Sequence, residues 1–187
     1  SGSPKQMRPV IEEKLRLDGV RVDRLTLKDN LGNIRRGRLR AVRGQLGYKL
    51  PKLLLQRAGV GPLVRETLFG DDSEVDSLVY SVYADVVAGR IGADELARIL
   101  EAGGAYQDTV EAALDAASHL EHTDAVEDIF IHVTKGVPLS TFALLGTRVT
   151  PVFSWIQAAL VLFQRERLSL VGLRRVINGC TTVEDLT

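Results

Sequence analysis

Cysteine is all but absent. Cys180 is the only one in 187 residues, which excludes an internal disulfide framework and fits a reducing compartment, so a cytoplasmic location is expected. Charge of one sign is absent too: Lys+Arg and Asp+Glu both total 24, and no global attraction to nucleic acid or a membrane surface follows. No apolar run reaches the length of a membrane span, because Gln157 and Gln164 interrupt the longest one. Internal repeats, low-complexity tracts and a signal-peptide pattern are missing, as is an initiating Met. The opening Ser1-Gly2-Ser3-Pro4 reads as that of a fragment, a processed product or a tagged chain.

What is present is alternation. Met7, Val10, Ile11 and Leu15 space a helix over Lys5–Arg16. Val20, Val22, Leu25 and Leu27 alternate as in a strand. A helix is expected from Tyr48 to Arg57, a strand from Val64 to Phe69, and a helix with Leu78, Val79, Val82, Tyr83, Val86 and Val87 on its apolar positions. Helices over Asp94–Glu101 and Gln107–Leu120 follow, then a strand over Val126–Val133, with Ile129, Phe130, Ile131 and Val133 in a nearly continuous apolar run of the kind buried on both faces. Two helices, Pro151–Gln164 and Leu168–Ile177, complete the pattern, with a fraying tail from Asn178. Such alternation predicts an α/β fold with a mostly parallel sheet flanked by helices.

The stretch with chemistry is Glu66-Thr67-Leu68-Phe69-Gly70-Asp71-Asp72-Ser73-Glu74-Val75-Asp76. Carboxylates just past a strand stand where open α/β sheets gather ligands. A hard cation such as Mg²⁺ suits the place, since it takes few carboxylates and keeps water and phosphate as other ligands. The same residues also read as helix-capping chemistry, because Asp and Ser satisfy the free amides of a first turn.

Ser1-Gly2-Ser3-Pro4, the helix start Tyr48-Lys49-Leu50-Pro51-Lys52 and Gly70–Asp76 come in the order of three motifs of the haloacid-dehalogenase-like (HAD) phosphohydrolase superfamily, which this chain resembles. The branch with the actin-patch phosphatidate phosphatases looks most similar. The resemblance implies a HAD-like Rossmannoid core, of which residues 1–90 would be the part with the second to fourth motifs. Residues 91–187 would be a mainly helical extension with one strand near 126–133. It further implies that Ser1 contacts a phosphoryl oxygen and that Lys49, or else Lys52, steadies the developing charge. Asp71 and Asp76, with Asp72 as an additional candidate, would hold Mg²⁺. The substrate would be a phosphorylated small molecule or lipid, with no nucleic acid and no transmembrane segment.

The family reacts through an aspartyl-phosphate on an Asp-x-Asp motif, and this sequence contains no Asp-x-Asp. The expectation is therefore a phosphatase whose nucleophile comes from an upstream segment or a partner chain, with these residues inactive alone. The alternative is a non-catalytic HAD-like interaction or regulatory module. For the remaining candidates the structural readings are preferred. The arginines from Arg35 to Arg43 read as a solvated loop or substrate-facing rim, and His132 as a satisfied core histidine. Phe153, Trp155 and Phe163 read as core at helical spacing. His119 and His122 are too scattered for a metal site, and Cys180 has no neighbouring base.

Overall fold

The computed structural model describes residues 4–27, 45–73 and 75–184. Ser1, the arginines from Arg35 to Arg43 and Glu74 lie outside the described residues. Among the described residues there are eight α-helices and three strands, the strands forming one parallel sheet in the order β1-β2-β3. The chain is thus α/β, as the alternation predicts.

The strands are β1 (Glu66–Asp71), β2 (Val126–His132) and β3 (Val149–Val152). Central β2 pairs Leu68 with Ile129 on one side and Val149 with Ile129 on the other. Its near-continuous apolar run follows from this place, since neither of its faces meets water. Ile129 and Ile131 point to one face and Phe130 to the other, the two-residue period of a strand.

Four helices supply the larger face: α2 (Leu46–Arg57), α3 (Asp76–Val87), α4 (Ala93–Ala102) and α5 (Gln107–Ser118). The first helix, α1 (Arg8–Leu17), follows a short 3-10 turn at Lys5–Met7 and buries no residue. Leu50 and Leu54 of α2, Val79 and Val87 of α3, and Leu96 and Leu100 of α4 join Ile129 and Ile131 in one buried cluster. Gly47 permits the close approach of α2 to the connection between α4 and α5, for a Cβ there would lie 2.6 Å from the amide nitrogen of Ala105. After β2 come α6 (Leu139–Ala143), β3, α7 (Trp155–Gln164) and α8 (Leu170–Glu184). Ala158 of α7 covers Phe130 and Val152 on the second face.

Two groups pin the end of the sheet remote from the acidic turn. Arg57, 3 % exposed, donates to the Val64 carbonyl at 2.9 Å and pairs with Glu66 at 3.3 Å. The Tyr83 hydroxyl donates to the same carboxylate at 2.7 Å. Burial, and then the Glu66 carboxylate, push the Tyr83 phenol up, so it stays a donor. Asp128, fully buried on β2, pairs with Arg165 and with Arg167 at 2.7 Å, tying the turn between α7 and α8 to the sheet.

Several expectations are corrected. Residues 20–27 form no strand: the Leu25 carbonyl accepts from Arg8 at 2.8 Å and the Thr26 hydroxyl from Gln56 at 2.7 Å, so polar side chains take the place of a ladder. Pro151 opens no helix but sits within β3. The Ile129 and Val133 amides donate to the Arg148 and Val152 carbonyls. Even-numbered residues of β3 therefore face β2, and the amide that Pro151 lacks would point outward. The last helix runs on to Glu184 instead of fraying at Asn178. Phe153, Trp155 and Phe163 are not core: they are 58 %, 41 % and 38 % exposed. His132 is only half-buried because it ends β2 at the carboxyl edge, beyond the layer that the helices cover.

Candidate active site

The carboxyl ends of β1 and β2 open into a cleft of about 1140 Å³. Asp71 and Asp76 line it from the acidic turn, and Lys49 and Lys52 from α2, whose i, i+3 spacing puts both on one side of the helix. Three of the predicted site residues, Lys49, Asp71 and Asp76, thus meet at one place despite their separation in sequence. Lys52, the alternative lysine, is there as well.

Lys49 Nζ donates to Asp76 Oδ1 in an ion pair whose side chains are 14 % and 9 % exposed. Gly70 makes room for that carboxylate: a Cβ on residue 70 would lie 2.7 Å from Asp76 Oδ2 and 2.9 Å from Tyr80 Cε2. The Tyr80 hydroxyl donates to the Phe69 carbonyl at 3.1 Å. This packs the start of α3 onto the end of β1. Asp71 Oδ1 accepts from the Ser73 amide at 2.9 Å and from the Ser73 hydroxyl, the pattern of an Asx turn.

Asp72 faces elsewhere. Its Oδ1 accepts from the Thr134 amide at 2.7 Å, the Thr134 hydroxyl at 3.0 Å and the Lys135 amide at 2.9 Å. Its Oδ2 accepts from the Lys135 amide at 3.0 Å and the Val137 amide at 3.3 Å. Desolvation pushes this carboxyl up, but the amides of Thr134 and Lys135, the Thr134 hydroxyl and the Val137 amide outweigh it. The group is held well below the usual carboxylate range.

Residues after β2 were not expected at the site. Thr134 and Lys135 line the cleft, with His132 and Trp155 on its rim. The His132 ring centroid is 4.9 Å from that of Trp155, and Trp155 meets Phe69 edge-on at 6.0 Å. The rule that ligands gather beyond strand ends points to Thr134-Lys135 as strongly as to Asp71. Among the described lining residues, the cations Arg24, Lys49, Lys52 and Lys135 outnumber the carboxylates Asp71 and Asp76. An anionic ligand is favoured there.

Among the described residues no three His, Cys, Asp or Glu side chains gather as a metal cage. The oxygen donors at the turn, Asp71 and Asp76, fit a hard cation that takes one or two carboxylates and completes its shell with water and phosphate, as Mg²⁺ does. They do not fit the nitrogen and sulfur sets that zinc prefers. No described helix is long and apolar enough to cross a membrane. Compared with family models, curated proteins and solved structures, the chain matches none.

Proposed function

We propose that these residues are the metal- and phosphate-binding half of a HAD-like Mg²⁺-dependent phosphohydrolase acting on a phosphorylated small molecule or lipid. The observation that carries this reading is the Lys49–Asp76 ion pair beside Asp71 at the carboxyl end of β1, in one cleft with excess positive charge. The order and spacing of the motifs around Lys49 and Gly70–Asp76 add support. In this reading Asp71 and Asp76 hold the cation, which when bound neutralises phosphoryl charge. Lys49 does two things: it orients the Asp76 carboxylate and sets a positive charge against the transferring group. The largely buried setting of the pair raises the value of that charge, because less water screens it.

The nucleophile of this chemistry is the first Asp of an Asp-x-Asp motif, which is not among these 187 residues. The reading therefore assigns turnover to a protein that supplies one. The same absence favours a second reading, a non-catalytic HAD-like interaction or regulatory module. The two part in one experiment. Hydrolysis of an aryl phosphate is measured with and without Mg²⁺, on the full reading frame and on residues 1–187, each beside Asp71→Asn. Mg²⁺-dependent activity in the full frame only, lost in Asp71→Asn, is the expected result. Inactivity together with no Mg²⁺ binding by the full frame overturns the enzyme reading in favour of the module.

A further inference from the structure

We infer that Asp72 is a positioning residue whose carboxylate fixes the turn at residues 134–137, so that Lys135 enters the cleft and binds the same phosphoryl oxygens as Lys49. The inference rests on the phosphohydrolase reading of the cleft and assigns it a second lysine from a second wall.

The geometry is that of a clamp. Five hydrogen bonds, from three backbone amides and one hydroxyl, converge on the two oxygens of one side chain. Gly136 lets the turn close: its φ of +77° lies in the left-handed region, which brings the Val137 amide back toward Oδ2. The Asp72 amide donates to the His132 carbonyl at 3.1 Å, so the clamp continues the β1–β2 ladder and inherits its register. Thr134, Lys135 and Gly136 are exposed, so between the packed side chains of Val133 and Val137 the turn is held by its bonds to Asp72. Lys135 and Thr134 line the cleft, while Asp72 itself does not. A carboxylate with its acceptor sites filled by amides acts through the cation that it places.

The test is calorimetric titration of inorganic phosphate, in the presence of Mg²⁺, into residues 1–187. Lys135→Ala is expected to weaken binding about tenfold, the effect of losing one hydrogen bond to a charged group, and Lys135→Arg to restore most of it. Asp72→Asn, which turns one acceptor into a donor facing the amides, is expected to weaken binding about as much. The combined Asp72→Asn/Lys135→Ala variant should bind no worse than Lys135→Ala alone, because both changes remove the same contact. Hydrogen exchange supplies the structural control: the Thr134, Lys135 and Val137 amides should exchange faster in Asp72→Asn, with Ile129 and Ile131 unchanged. Phosphate binding that ignores Asp72→Asn, or losses that add in the double variant, overturns the clamp and leaves the phosphate site standing. No binding by the unaltered chain removes both.

Discussion

A Cβ on residue 70 would stand 2.7 Å from the Cβ of Asp76, closer than non-bonded carbons come. Gly70 is thus the residue on which the Lys49–Asp76 pair depends, though it touches neither charge through a side chain of its own. Gly70→Ala is expected to push the start of α3 off β1 and cost about 1–3 kcal/mol, as overpacking a tight contact does. Urea unfolding checks the stability. Mg²⁺ titration checks the site, where binding should fall in the same variant.

The Asp76 side chain is 9 % exposed in its pair with Lys49, and Lys49→Ala removes that partner. The expected loss is about 3 kcal/mol, because a buried charge without its partner costs more than the pair contributes. Lys49→Met combined with Asp76→Leu should recover most of that stability while abolishing Mg²⁺ binding. Chemical denaturation of the three proteins separates the two effects.

Acid should weaken a second network, at the carboxyl end of α3. Asp124 accepts from Arg148 at 2.6 Å and from Arg90 at 3.4 Å. Desolvation raises this carboxyl, but the Arg148 charge and the hydrogen bonds from Arg90 and Arg148 outweigh it, and the folded value lies below the ordinary 3.8. A depressed folded value means stability that is present above 3.8 and lost as the pH falls through the folded value. The side chain is 63 % exposed, so solvent screening holds the contribution to about 0.5 kcal/mol. The melting temperature of Asp124→Asn should lie slightly below that of the unaltered chain at neutral pH and approach it in acid.

Glu166 carries a φ of +59°, the left-handed region that favours glycine. The residue turns the chain so that Arg165 and Arg167 both reach Asp128. Glu166→Gly relieves the steric cost without touching either arginine, and an increase of about 0.5–1 kcal/mol is expected. Thermal unfolding measures it, and a fall in stability would show that the Glu166 side chain contributes more than its backbone costs.

What was legible in the sequence follows from where hydrogen bonds close. The helices carrying Leu50, Val79 and Leu96 repeat apolar residues at the helical period and bond within themselves, so their positions show in the residues alone. Val126–His132 shows as a doubly buried strand because Ile129, Phe130 and Ile131 follow one another without a polar residue between them, which fills both faces. The stretch with Val20 and Val22 alternates as a strand does, yet a strand exists only by partnership, and Leu25 and Thr26 accept from the side chains of Arg8 and Gln56. The start of α7 was misplaced for a different reason. Ser154 caps the helix by accepting from the Gln157 amide, and Gln157 Oε1 accepts from the Phe153 amide one residue earlier. That Ser-x-x-Gln pattern is readable in the sequence and sets the helix start at Trp155, not at Pro151.

At the site, Lys49 and the acidic turn could be named because their motifs are local. The part that Thr134 and Lys135 play could not, since it depends on β2 lying beside β1 in one register. Asp72 illustrates the limit most sharply. Its residue type and place in the turn are those of a metal ligand, and only the arrival of three amides from another strand end decides where its oxygens point.

The bond from the Thr134 amide to Asp72 spans 62 residues, and that separation orders events during synthesis. The acidic turn leaves the ribosome well before the strand that completes it, and closing so long a loop waits on the docking of β2. A nascent chain ending short of Val137 therefore displays Asp71, Asp72 and Asp76 without the wall they face. The wall of the cleft that carries Thr134 and Lys135 comes into being only once β2 lies beside β1.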